Sequence, residues 1–315
     1  MSLTPSRAYT TARPELSLAL DPFDLVANRE GYVGLQILLP IDVQEAYGPY
    51  PKRALNQKLT KRKSTKRGSG GDFARGSLTF DFDTYSVKNY GYEMPVDHND
   101  QRRYGSWFAA EVIAAETAQE EVLKDLEGRI LDMLLGADTE IPDAGVGTGW
   151  DLHSSARPID DIDAAKLRVR SRTGLVPNRL ALSYDVFLNL RRCAQVIDAI
   201  GSTGIRAIDP QHITAEQLAI ALDLENTAAD GADAVVQNMF PTAKSLLFYG
   251  SDNTNLNKPR LGNVIHWPAN GSQIAGLMEQ YEEPEVDATI VRCRLDAQEL
   301  VMLPEAAEIM TGMYD

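Results

Sequence analysis

Four histidines, two cysteines, one acidic cluster and two glycine-rich stretches are the places where this sequence could house chemistry. Each lacks a member that its chemistry needs. His98, His153, His212 and His266 stand singly, with no HExxH pair and no cysteine at zinc-ligand spacing. Cys193 and Cys293 are far apart and belong to no CxxC pair, as expected of buried, reduced thiols in a cytosolic product. Gly71 and Gly76 have the spacing of a phosphate-cradling loop, but Ser77 stands where that loop needs lysine. Gly145, Gly147 and Gly149 follow a helical stretch rather than a strand, so they make no dinucleotide fingerprint. Asp160, Asp161 and Asp163 have the chemistry to hold a divalent cation. They also open a helix, where the dipole favours acidic residues without any metal. No Ser/His/Asp or Cys/His set emerges. The expectation is a protein that is not an enzyme, with no catalytic, cofactor or metal residues and no cofactor.

The chemistry that the sequence does carry is electrostatic. No acidic residue falls between Glu45 and Asp72, whereas Lys52, Arg53, Lys58, Lys61, Arg62, Lys63, Lys66 and Arg67 all do. The net charge is −14; with those eight positive charges set aside it becomes −22. A segment so opposed to its own chain calls for an anionic partner, either nucleic acid or the acidic face of another copy. These eight residues are the candidate contact.

The elements that must position that segment are read from length, composition and periodicity. At 315 residues, 43% hydrophobic and 24% charged, the chain is long enough for one large or two modest globular domains. No run of eighteen apolar residues predicts a membrane span, and the N-terminal stretch lacks the apolar core of a secretory signal. The longest uninterrupted helix is predicted over Trp107–Leu135, capped by Ser106 and stopped by a left-handed Gly136. Phe108, Val112, Ala115, Val122, Leu126, Ile130 and Met133 fall on one stripe, and Ile130, Leu131, Leu134 and Leu135 mark its far end as the deeper one. Glu120–Lys124 and Asp125–Arg129 are favourable i,i+4 pairs, and Gly128 suggests a closely packed neighbouring backbone.

Ahead of this helix, residues 1–20 read as an arm without a core, 21–28 as a short helix and 31–43 as a β-rich run broken by Pro40. Residues 46–76 are too rich in Pro, Gly, Ser and Lys to build a core. Leu78, Phe80 and Phe82 then alternate with Thr79, Asp81 and Asp83, which predicts a two-stranded β arm that must lie on something else. After the helix, 138–158 reads as a glycine-rich loop and 158–174 as a second helix. A strand follows at 175–183, then helices over 183–201, capped by Ser183, and over 214–224. The apolar runs 245–250 and 262–268 read as strands of one compact α/β insertion over 175–274. In the tail, Val291, Cys293 and Leu295 alternate with Arg292 and Arg294 in long strands belonging to a second, elongated unit with the central helix.

Several of these stretches resemble tailed-bacteriophage major capsid proteins of the Hong Kong ninety-seven type. GYVGLQILLPIDVQEAYGPYPK (31–52) is similar to their arm-to-loop junction, and YSVKNYGYEMPVDHND (85–100) to the returning strand of the loop. Helix 106–135 is similar to their spine helix. In residues 148–191, Trp150-Asp151, Pro158, Asp161-Ile162, Thr173-Gly174 and Pro177-Asn178 recur in the family's order. The resemblance covers nearly the whole chain from about residue 20. It implies an α+β capsid fold divided into an N-terminal arm (1–45), an extended β loop (46–100), a peripheral domain with the spine helix (101–180), an inserted α/β axial domain (181–274) and peripheral return strands (275–315).

The function implied is a major capsid protein that self-assembles into pentamers and hexamers of an icosahedral phage head around double-stranded DNA. Its expected partners are further copies of itself, a separate scaffolding protein, a portal and a decoration protein, with DNA held without sequence-specific contact and no membrane. Its expected place is the virion, assembled in the host cytoplasm. One alternative is an encapsulin-like bacterial compartment that packages a cargo protein. The other is a nucleic-acid-binding protein using 52–67. That segment has few aromatics to stack on bases, and the acidic remainder would repel phosphate.

Overall fold

The apolar stripe predicted along the central helix is the surface on which the rest of the body is laid. The computed structural model describes residues 11–12, 33–52, 81–99, 102, 110–202, 226–230, 240–241, 243–251, 260–268, 274–284 and 287–314. In chain order these form a short strand β1 (Thr11–Ala12), a one-turn helix α1 (Gly34–Ile37), and strands β2 (Leu39–Asp42), β3 (Tyr47–Lys52), β4 (Asp81–Ser86) and β5 (Lys88–Asp97). The long helix α2 (Ala110–Leu135) precedes β6 (Asp143–Gly145), α3 (Pro158–Thr173), β7 (Arg179–Ser183), α4 (Tyr184–Leu190), α5 (Ala194–Ser202) and β8 (Asn226–Asp230). Strands β9 (Lys244–Phe248), β10 (Gly262–His266), β11 (Leu277–Glu283), β12 (Ala288–Val301) and β13 (Ala307–Thr311) complete a mixed α+β fold.

Helix α2 buries Ala115, Val122, Leu126 and Ile130 of the predicted stripe, with Val112 and Met133 half-buried on the same core. Its far end is the deeper one, since Leu131, Leu134 and Leu135 are buried as well. Ser106, Trp107 and Phe108 lie outside the described residues. Three expectations fail. Gly136 has no left-handed φ; the last carbonyls are met from outside, by the Thr139 hydroxyl on Leu134 O (3.0 Å) and by Lys244 Nζ on Leu135 O. A cation there also complements the negative end of the helix dipole. Nothing approaches within 4 Å of where a Gly128 side chain would begin. Lys124 pairs with Glu121 (3.1 Å) rather than Glu120, although the Arg129–Asp125 pair forms as predicted.

Strand β12 is the axis of the first sheet. It pairs antiparallel with β11 over 288–294, with β5 over 288–297 and with β10 over 297–301. Ala297 pairs with both Lys88 and His266, so β5 and β10 run along opposite edges of it. Val291, Cys293, Leu295 and Ala297 share one buried core with α2. On the other face Arg292 bridges two neighbouring strands, with Nε 3.0 Å from Glu279 and Nη1 3.4 Å from Glu93, a cross-strand ladder of alternating charge. The 31–43 run is not all strand: it divides into α1 and β2. Pro40 is tolerated because, among the described residues, β2 is an edge strand that pairs with β10 alone.

The second sheet has the order β6-β13-β9-β7-β8. Trp150, Ile162, Leu180, Leu182, Val186, Leu190 and Cys193 form its core with α3, α4 and α5. Sheet membership departs from the sequence reading here. The run 245–250 enters this sheet as β9, but 262–268 enters the first sheet as β10, and the C-terminal β13 lies in the middle of the second. Strand pairing decides the exchange: β10 lies between β12 and β2, and β13 between β6 and β9. All five residues of β10 are buried, and β13 carries Glu308, 1% exposed, into a fork made by Arg168 Nε (2.7 Å) and Arg172 Nη2 (2.8 Å) of α3. A carboxylate so buried requires both cations.

The helix predicted over 183–201 is broken into α4 and α5. Ser183 caps it as expected, accepting from Val186 N (3.4 Å), but the turn at 191–193 lets Ala194 N reach His153 O (2.9 Å) and puts Leu190 and Cys193 in one core. The 138–158 loop is not wholly irregular, since 143–145 pairs with β13. Helix 158–174 forms as predicted and ends on Gly174 at φ 72°. The helices expected at 21–28 and 214–224 lie outside the described residues.

Candidate functional site

The described histidines and aspartates with catalytic potential are engaged elsewhere. His98 contacts Asp287 (2.9 Å) and Thr289 (3.0 Å), His153 contacts Asn189 (3.2 Å), and the buried His266 contacts Asp42 (2.8 Å). His212 and the Gly71–Ser77 stretch lie outside the described residues. Of the acidic cluster, Asp161 accepts from the Trp150 indole (3.1 Å), while Asp160 and Asp163 stand near Arg157 and Lys166, 3.8 Å each. Among the described residues no group of three His, Cys, Asp or Glu is arranged to hold a metal, and no helix is long and apolar enough to cross a membrane. Burial raises the thiols of Cys193 to about 11 and Cys293 to about 12, so both are neutral and unreactive near pH 7.

The feature with binding chemistry is the ribbon of β3 and β4. Its antiparallel register runs from Tyr47↔Ser86 at the body to Lys52↔Asp81 at the far end. Residues 53–80 connect those two ends. Lys52 is therefore the last described residue of β3, while Arg53, Lys58, Lys61, Arg62, Lys63, Lys66 and Arg67 lie outside the described residues.

Period-two alternation gives the ribbon two unlike faces. Gly48, Tyr50 and Tyr85 face the body, where Tyr50, Tyr85 and Ile265 form a small cluster with Val43, Val87, Leu300 and Met302. Gly48 pairs directly with Tyr85, and a β-carbon on it would stand 2.9 Å from the Tyr85 hydroxyl, so the ring lies where only glycine leaves room. The Tyr85 hydroxyl donates to Glu45 O (3.2 Å), Val87 N to Ala46 O (2.8 Å) and Ser86 N to Gln298 Oε1 (2.5 Å). The Tyr50 hydroxyl donates to Asp83 (3.1 Å), and burial together with that carboxylate pushes its pKa up to about 12.

The opposite face carries Tyr47 and Pro49 beside Phe82, Thr84 and Ser86. Tyr47 is 63% and Phe82 68% exposed. Phe82, the described member of the apolar side predicted for this strand, is turned away from the chain's own core. Leu78 and Phe80, expected on the same face, lie outside the described residues. Tyr47 and Pro49 were not singled out by sequence reading, although the alternation of Tyr47, Gly48, Pro49 and Tyr50 carries the signal.

No family model matches the sequence, and no curated protein matches it. Solved structures do match in fold along nearly the whole chain. A phage-related protein from Bordetella bronchiseptica RB50 aligns with a TM-score of 0.70 at 18% identity, covering 97% of this chain and 98% of that one. The capsid protein of the cyanophage P-SCSP1u aligns at 0.57 with 8% identity, covering 87% and 86%. The SrpI encapsulin of Synechococcus elongatus PCC 7942 aligns at 0.54 with 12% identity, covering 88% and 85%. At these identities the likeness is one of fold: the mixed α+β architecture is that of phage capsid and encapsulin chains.

Proposed function

We propose that this chain is the structural subunit of a closed protein shell, with no catalytic role, and that the shell is the icosahedral head of a tailed phage. The observation that carries the reading is the outward face of the β3–β4 ribbon. An apolar strip led by Tyr47 and Phe82 lies open to water on its own subunit, and a neighbouring copy would cover it. The fold shared with phage capsid and encapsulin chains supports the same reading. In this proposal residues 46–100 serve as the extended loop and α2 as the spine helix. Lys52, Arg53, Lys58, Lys61, Arg62, Lys63, Lys66 and Arg67 meet the acidic body of the adjacent subunit. Hexamers and pentamers enclose double-stranded DNA without sequence-specific contact, with scaffolding, portal and decoration proteins as separate chains, and the product resides in the virion.

The likeness to SrpI favours a second reading, a bacterial compartment shell of the encapsulin type. Negative-stain microscopy of the purified full-length chain tests the shared claim. Closed particles are expected; a 34.7 kDa monomer at high concentration under every salt condition would overturn it. Particles purified from the native source then separate the readings. Nuclease-protected DNA inside means a phage head, and a stoichiometric cargo protein means a compartment.

A further inference from the structure

Glu127 is a carboxylate in the wrong place for a soluble helix. It sits in the row Leu123, Glu127, Leu131 and Leu134 on the buried side of α2, and it is only 2% exposed. Burying an ionised carboxylate is costly unless donors surround it. Here the donors are main-chain amides from a distant part of the chain. Val33 N donates to Oε1 at 3.0 Å, and Gly34 N lies 2.8 Å from Oε1 and 2.9 Å from Oε2.

Those amides open α1, which has no side-chain cap of its own. A single turn does not hold in isolation, because helix nucleation fixes several residues for one hydrogen bond. The free N–H groups at its start carry the positive end of the local dipole, and a carboxylate satisfies both needs. The fit is close from the other side too, because a β-carbon on Gly34 would collide with Glu127 Oε2. Val33 and Leu38 flank this contact as buried members of the α2 core. One carboxylate of the long helix therefore holds the start of α1.

We infer that Glu127 and the amides of Val33 and Gly34 form a latch that holds α1 on α2, and that breaking it frees residues 33–38 without unfolding the body. Glu127 is on this account a positioning residue. The inference does not rest on the shell reading, since it concerns the dispersed chain.

The test compares Glu127→Gln with Gly34→Ala in the full-length dispersed protein. The first keeps the shape but removes the charge and one acceptor; the second pushes a methyl group at the carboxylate from the opposite element. Both should speed amide exchange at residues 33 and 34 about ten- to a hundred-fold. That is the factor matching the roughly 1.5–3 kcal/mol of a hydrogen bond to a charged group, at about 1.4 kcal/mol per tenfold. Exchange at 291 and 295 in β12 should stay at the wild-type rate. Exchange at 33 and 34 within about twofold of wild type in both variants would overturn the latch. Equal acceleration at 33–34 and in β12 would also overturn it, because Glu127 would then be a general stability residue. Val33→Ala, which trims an apolar anchor but keeps both amides, should leave the local exchange near wild type.

Discussion

Strand β12 keeps its apolar residues on one covered face, whereas β4 divides its two aromatics, Tyr85 toward the body and Phe82 toward water. In β12, Val291, Cys293 and Leu295 lie beneath α2, and the charged side is neutralised across strands by Glu279 and Glu93. In β4 the aromatic Phe82 is 68% exposed, while Asp83 and Tyr85 occupy the side turned to the body. Alternation decides which residues share a face. What lies opposite decides which face is covered; Phe82 of β4 has no such cover among the described residues of its own subunit, and under the shell proposal a neighbouring copy supplies it.

The contrast breaks first if the two faces respond alike to mutation. Leu126→Ala, in the core beneath β12, should cost about 2–5 kcal/mol of stability, because the site is packed on all sides. Phe82→Asp should move stability by no more than about 0.5 kcal/mol, as for other exposed positions, yet abolish particle formation. Denaturant melts and microscopy on the same preparations read both. A Phe82→Asp chain that assembles normally would remove the role given to the outward face.

Much of the body was legible because burial and period agree there. The stripe from Ala115 to Ile130, the cap at Ser183 and the alternation from Val291 to Leu295 all follow from local pattern. Several of the failures share a cause, a partner distant in sequence. Gly136 needs no left-handed turn because Lys244 closes the helix from elsewhere. The run at 262–266 joins β12 and β2 rather than β9, a choice that apolar composition cannot make. Glu127 was not singled out by the sequence reading although it stands in an apolar row, and its amide partners lie more than ninety residues away. Of the candidate site, the basic run beyond Lys52 lies outside the described residues, and the outward direction of Phe82 required Tyr50, Tyr85 and Ile265 to be seen together on the other face.

A second, smaller effect sharpens the same comparison at the basic segment. Under the shell proposal, reversing Lys61, Arg62 and Lys63 to Glu should weaken assembly and leave the helical content unchanged. Wild-type assembly should weaken in parallel at high salt, where the screening length falls to about 3 Å at 1 M. In dispersed subunits trypsin should cut between Lys52 and Arg67, and in particles the same dose should spare those bonds. Equal cleavage in both states would mean that the segment docks on nothing.

The smallest effect concerns the inner face of the ribbon, and it is set by pH. Tyr50 is raised from an ordinary phenol value of 10.0 to about 12, first by burial and then by Asp83, so the attached ribbon favours the protonated phenol. A detached ribbon would release that proton at the ordinary value. The contribution of Tyr50 to attachment is therefore complete below pH 10, declines between 10 and 12, and is lost above the raised value. Loosening should appear as faster tryptic cleavage near Lys88 across that window, in step with tyrosinate absorbance. Tyr50→Phe keeps the ring against Tyr85 and Ile265 but has no proton to lose, so this alkaline step should vanish while the ribbon stays seated at neutral pH. If the step persists unchanged in Tyr50→Phe, the inner face is held by something other than the buried phenol, and the contrast between the two faces must be drawn elsewhere.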